Sequence, residues 1–369
     1  MRQKNNWIIL LIIISSFLFF QQNVYSSSAL LITHPAVDTF KFNATIAHNL
    51  IQKQVDLGPR YPGSRGIENV RHLVASELLP TEKWGIIYQN FSKKWNDQNV
   101  TLVNIICSPK LNNLTQPAFL LMAHYDTRLW ADHDPDLTKR KEPVLGANDG
   151  ASGVAVVLEL GRVLLEDYNY SNFQLIFFDG EDQGNIMGWD WLLGSRFYVK
   201  SQEFKNQNLS FVILFDMVAG INAIFKREKN SEQYAGKLVT KIWNEAHELG
   251  FSKYFVNQTG YRITDDHIPF IESNIPAIDI IDDFGHRYKP WHTTFDNMTF
   301  IDMKTIEAVG LTLESVLVQF LTSEGWISYL STIPYQTTFS VFNFLTIIVF
   351  ITVEIASRSK KKFTYGKNR

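Results

Sequence analysis

Cysteine is almost absent. Cys107 stands alone among 369 residues, so no intrachain disulfide can form and the fold must be held by its core. An excess of charge of either sign is also lacking. A formal net charge of −2 gives no electrostatic basis for a nucleic-acid or polyanionic partner, and none is expected. Internal repeats and low-complexity stretches are missing too, which leaves one large domain plus targeting segments as the account of the length. What is present is ordinary globular material, 45% hydrophobic and 20% charged, with a high aromatic share of 14%.

The termini differ from the middle. Arg2 and Lys4 precede the apolar run Trp7–Phe20, and a polar, Ser-rich stretch follows. Residues 1–25 therefore read as a signal peptide, with a retained N-terminal anchor as the alternative. Near the other end, Phe339–Ala356 is apolar apart from Asn343 and Glu354, and Arg358, Lys360, Lys361, Lys362 and Lys367 follow it. That pattern predicts a transmembrane helix at 339–356 with a basic cytoplasmic tail at 357–369; a final buried helix is the alternative. The juxtamembrane segment 326–338 carries Trp326, Tyr329 and Tyr335 where an interfacial aromatic belt would sit. Eight Asn-x-Ser/Thr sites, at Asn43, Asn90, Asn99, Asn113, Asn169, Asn208, Asn257 and Asn297, agree with a glycosylated domain at 35–325 on the extracytoplasmic side.

Between these ends, short unbroken apolar runs predict strands at Leu102–Cys107, Ala118–Ala123, Phe173–Phe178, Phe211–Phe215 and Ala277–Ile281. Helical patterns cover Ile46–Asp56, Gly66–Leu79, Ala151–Asp167, Glu232–Leu249 and Asp302–Leu321. Runs suited to burial on both faces, alternating with helices, predict an α/β fold: a doubly wound, mostly parallel central sheet flanked by helices. Residues 128–146, rich in Asp and Pro, form a loop able to overhang a site.

In such folds ligands bind beyond the carboxyl ends of the strands. Acids and imidazoles gather there. Ala118–Ala123 runs into His124-Tyr125-Asp126, and Phe173–Phe178 into Asp179-Gly180-Glu181-Asp182. Phe211–Phe215 ends in Asp216, Asp149 stands just before the helix at Ala151, and Trp291-His292-Thr293 follows the last strand. Each has a plain structural account: Asp149 as a helix N-cap, Glu181-Asp182 as a solvated turn, Asp216 as a backbone acceptor, His124 and His292 as core histidines. Five such accounts holding together is a poorer explanation than one metal site. Oxygen and nitrogen donors from Asp and His are what Zn²⁺ takes when cysteine is absent, and cobalt or manganese suits the same donors. Three ligands with an open position would make the site catalytic.

The ordered set His124-Tyr125-Asp126, Gly146-Ala147-Asn148-Asp149-Gly150-Ala151-Ser152-Gly153, Phe178-Asp179-Gly180-Glu181-Asp182 and His292-Thr293 resembles the zinc aminopeptidase-like superfamily over about residues 45–322. Three features make it similar to the glutaminyl-peptide cyclotransferases within that superfamily. They are Trp291 before His292, the segment Asp265-Asp266-His267-Ile268-Pro269-Phe270, and Trp189-Asp190-Trp191 before Gly194-Ser195-Arg196. The loop from Tyr125 to Asp136 is similar to the bacterial enzymes. The resemblance implies Asp149, Asp182 and His292 as ligands of one zinc. It implies Glu181 as proton carrier, with Asp265 and Asp216 as its hydrogen-bonded partners. Trp291 and Trp191 or Trp189 would wall a substrate pocket, with Asp266 and His267 beside it. His124 and Asp126 would support the site or hold a second metal. The animal enzymes carry Glu where Asp182 stands, and usually a disulfide that one cysteine cannot form.

The implied reaction is cyclisation of an N-terminal Gln of a peptide or protein to pyroglutamate with loss of ammonia, by a protein expected to be monomeric. A two-zinc aminopeptidase using His124, Asp149, Asp182, Asp216 and His292 is the main alternative. A silent, membrane-tethered binding ectodomain on the same fold is the other.

Overall fold

The computed structural model describes residues 40–78, 82–95, 97–111, 118–283 and 289–321. The stretches expected to be a signal peptide (1–25), a juxtamembrane segment (326–338), a transmembrane helix (339–356) and a basic tail (357–369) lie outside the described residues, as does Asn113. Among the described residues no helix is long and apolar enough to cross a membrane. Of the seven sequon asparagines described, only Asn297 is half-buried and the rest are exposed, so nearly all are reachable from solvent.

A six-stranded sheet, in the order β1-β2-β4-β3-β5-β8, forms the centre. It contains β1 (Trp84–Trp95), β2 (Gln98–Pro109), β3 (Ala118–His124), β4 (Phe173–Phe178), β5 (Leu209–Asp216) and β8 (Ala277–Ile281). β4, β3, β5 and β8 run parallel, whereas β1 and β2 are an antiparallel pair. Every residue of β3, β4 and β8 is buried, as uninterrupted apolar runs covered on both faces require. The expected strands are all present, with β4 and β8 at the expected bounds. β1 escapes sequence reading because it is polar on both faces, with Gln89 and Lys93 on its half-buried side and Asn90, Ser92 and Lys94 on its exposed side. Lysines there suit the edge of a sheet, where they discourage pairing with another chain. β6 (Phe225–Arg227) and β7 (Phe255–Thr259) form a separate parallel pair.

The helices are α1 (Ala44–Asp56), α2 (Arg65–Leu78), α3 (Ala151–Arg162), α4 (Leu193–Tyr198), α5 (Gln202–Lys205), α6 (Lys229–Glu248), α7 (Ile268–Glu272) and α8 (Met303–Val318). Caps fix the starts that periodicity misplaces. Asn43 accepts the Thr45 and Ile46 amides ahead of α1, and Glu228 accepts those of Asn230 and Ser231 ahead of α6. α3 is shorter than expected, its last turn, Val163–Asp167, being π-helical. Its residues Ala151–Gly161 are all buried, and Gly153 lets it lie directly on β5. A Cβ at Gly153 would stand 2.0 Å from the Phe215 carbonyl oxygen. That close approach brings the residues just before α3 up to the end of β5.

Candidate active site

The carboxyl ends of β3, β4 and β5 deliver His124, the Asp179–Asp182 turn and Asp216 to one place, and the turn before α3 adds Asp149. Gly150 makes that turn with φ +100°, and a Cβ there would press within 2.8 Å of the Asp126 carbonyl. The donor atoms of Asp149, Asp182 and His292 lie within 4.8 Å of one another, as do those of His124, Asp149 and Asp216. Asp149 belongs to both groups. Its Oδ1 is 3.1 Å from His124 Nε2 and its Oδ2 is 3.7 Å from His292 Nε2. His292 Nε2 also meets Asp182 Oδ1 at 2.9 Å, and His124 Nε2 meets Asp216 Oδ1 at 3.3 Å. Two carboxylates and an imidazole, all buried, fit a zinc ion. So does Asp182 Oδ2, which is buried and takes no hydrogen bond from the protein.

The ligand-bearing loops are pinned by two further carboxylates. Asp126 accepts the Glu181 and Asp182 amides at 3.0 and 3.2 Å and the Gln183 side chain at 3.1 Å. Asp296 accepts the Asn148 and Asp149 amides at 2.9 and 3.0 Å. His292 has φ +57°, a left-handed conformation costing about 1–2 kcal/mol for a residue with a Cβ. The surrounding structure holds it there. Its carbonyl accepts the His133 amide at 3.1 Å, and Asp134 accepts both the amide and the hydroxyl of Thr294. The 128–146 loop therefore closes onto the His292 segment, as an overhanging loop would.

Packing acids together out of water sets their proton affinities. Burial, then the neighbouring Asp265 carboxylate, pushes Glu181 well above the usual carboxylate range. Burial and Asp216 push Asp265 up to about 8. Burial lifts Asp182 to about 7 against the pull of Arg128. Burial also raises Asp216, with His124 opposing. At His124 burial favours the neutral ring, but Asp216 and the other carboxylates outweigh it and hold the ring well above its ordinary value. Burial and Arg128 hold His292 well below its own, leaving a neutral imidazole suited to ligation. Of these shifted groups all but His124 border a cavity of about 390 Å³ that also reaches Trp191, Trp291, Ile263 and Thr264. The Trp191 ring lies nearly parallel to His292, 6.1 Å away.

Residues 104–317 match the Peptidase family M28 model. The chain belongs to peptidase family M28. A Zn-dependent exopeptidase from Parabacteroides distasonis is 37% identical with a TM-score of 0.70, covering 76% of this chain and 99% of that one. A glutaminyl cyclase from Bacteroides thetaiotaomicron is 34% identical with a TM-score of 0.69, covering 75% and 97%. Glutaminyl-peptide cyclotransferase of the snake Boiga irregularis is 28% identical over 307 residues, covering 73% of this chain and 80% of that one. The cyclases among these relatives agree with the resemblance read from the motifs, and one of the three is a Zn-dependent enzyme.

Within this M28 chain the expected site residues divide. Glu181, Asp149, Asp182, Asp216, Asp265, His292, Trp191 and Trp291 face the cavity together. Trp189 stands apart: it is buried against Trp95 and donates its indole N–H to the Lys94 carbonyl. Asp266 and His267 lie behind Asp265, where Asp266 accepts the Ser195 hydroxyl and His267 sits between Glu228 at 3.3 Å and Asp279 at 3.7 Å. Asp126 is in none of the metal-type groups and serves as an amide acceptor. Asp296, Arg128 and Asp132 were not foreseen. Arg128 and Asp132 stand in the loop expected to overhang the site, but nothing there singles them out, and Asp296 shows only as an acid four residues after His292.

Proposed function

We propose that this protein is a zinc-dependent glutaminyl-peptide cyclotransferase. The observation that carries the reading is one cavity lined together by Glu181, Asp265, the Asp149, Asp182 and His292 donors, and the indoles of Trp191 and Trp291. Asp149, Asp182 and His292 would hold a zinc ion, which would supply Lewis-acid polarisation of the γ-carboxamide of an N-terminal Gln. The α-amine attacks that carbon, a ring C–N bond forms, and the amide C–N bond breaks. Glu181 takes a proton from the attacking amine and passes it to the departing nitrogen, which leaves as ammonia. Its raised proton affinity suits both halves of that transfer. Asp265 and Asp216 share protons behind it, while Trp191 and Trp291 exclude water and hold the Gln side chain folded for ring closure.

A two-zinc aminopeptidase is the second reading, favoured by the His124, Asp149 and Asp216 group and by the exopeptidase relative. One experiment separates the two: metal content of the purified protein with products from unblocked Gln-peptides. One zinc per chain, ammonia release and a product lighter by ammonia are expected. Two tightly bound zincs with release of free amino acids would overturn cyclisation.

A membrane tether through 339–356 and an extracytoplasmic catalytic domain complete the proposal, resting on the apolar span, its basic flank and the sequons. Ending the chain after residue 325 should move it from the membrane fraction to the soluble lumenal or secreted fraction. Unchanged partition would refute the tether.

A further inference from the structure

We propose that Arg128 is a positioning residue that locks metal ligand, ligand-bearing backbone and substrate wall into one unit. The reading rests on Asp182 and His292 as zinc ligands. Arg128 is 3% exposed, and its guanidinium hydrogen bonds go to Asp132, Asp182 and Gly184. Nε and Nη2 hold Asp132 in a two-point fork at 2.7 and 2.6 Å. Nη1 donates to the Asp182 carbonyl at 3.0 Å and lies 3.5 Å from that residue's Oδ1. Nη2 also reaches the Gly184 carbonyl at 3.3 Å. The guanidinium carbon lies over the Trp191 ring, 4.9 Å from its centroid.

Asp132 extends this clamp to the other ligand. Its Oδ1 is 3.6 Å from His292 Nδ1, a buried ring nitrogen with no closer partner. At that separation the contact is electrostatic rather than a hydrogen bond, and a carboxylate so placed behind a ligating imidazole favours the proton on Nδ1 and strengthens the other nitrogen as a donor. Asp132, His133 and His292 could also be taken for a metal group. The fork explains Asp132 better, since both its oxygens already accept from Arg128. Only arginine meets these demands at once. Its edge grips a carboxylate at two points while its face stacks on an indole, whereas a lysine ammonium is a point charge that does one or the other.

The test uses Arg128→Met, Arg128→Lys and Asp132→Asn in the full chain. It measures zinc affinity by competition with a chromogenic chelator, and KM and kcat for a short Gln-peptide at saturating zinc. Arg128→Met should weaken zinc binding about 10–100-fold, as loss of such outer partners does, and raise KM because Trp191 loses its cover. Arg128→Lys should recover part of the zinc affinity without recovering KM. Asp132→Asn should weaken zinc binding while leaving KM near the parent value, because the guanidinium still covers Trp191. A lower melting temperature with zinc affinity and KM unmoved in all three would mean a purely structural role and overturn the proposal. If Arg128→Met fails to fold, the contrast between Arg128→Lys and Asp132→Asn still decides. Weak zinc binding by the unsubstituted chain would overturn the ligand reading first, and this one with it.

Discussion

Glu181→Gln should lower kcat on Gln-initiated peptides by about 10²–10⁴-fold, the usual share of a positioned acid–base group, with KM little changed. The substitution keeps the shape of the side chain. It also keeps the backbone, whose amide still donates to Asp126. What disappears is a carboxylate that burial and Asp265 both penalise, so the variant should melt at the same temperature as the parent or above it. Turnover, melting temperature and zinc content measured side by side check this. Parental turnover would remove Glu181 from the proton transfer, and lost zinc would instead make it a ligand.

The second large effect couples metal, pH and stability. Asp182 and Asp265 are raised by burial to about 7 and about 8. Unfolded, both titrate near 4. Between these values the folded, metal-free chain binds more protons than the unfolded chain, so its stability falls as pH rises. The loss runs through the folded values, from about pH 5 to above pH 8. A zinc ion bound by Asp149, Asp182 and His292 would supply the positive charge that the protons supply at low pH. Protein stripped by a chelator should therefore lose melting temperature from pH 5 to 8.5, and added zinc should restore most at the alkaline end. Zinc at 100–1,000 times its dissociation constant corresponds to about 3–4 kcal/mol. A melting temperature of the stripped protein that rises steadily over this range, or zinc without effect at pH 8, would contradict the buried-acid account.

The fold was readable wherever one physical signal dominated. β4 and β8 are apolar from end to end, and their bounds can be read directly from the chain. β1 is a polar edge strand whose place is set by its pairing with β2, from Trp84 opposite Pro109 to Trp95 opposite Gln98. Nothing in its own residues insists on that partner. The acids and imidazoles that gather at the site were legible where they stand at or just past strand ends, as His124, Glu181, Asp182 and Asp216 do. Their supports were not: Asp296 grips the Asn148 amide across 148 residues of chain, a relation without local pattern. Trp189 and Trp191 look equivalent in sequence. Only packing tells them apart, one turning its indole to Lys94 and the other to His292.

The contact between Gly153 and the Phe215 carbonyl has a meaning beyond packing density. It makes the missing methyl group at position 153 a ruler. Helix and strand touch backbone to backbone, so the gap between Asp149 and Asp216 is gauged by main-chain atoms that have no rotamers to vary. Any side chain at position 153 would act as a wedge, opening the jaw that those two carboxylates form around His124. The chemistry at the rim is thus calibrated three residues into a helix, at a place that reads as ordinary core.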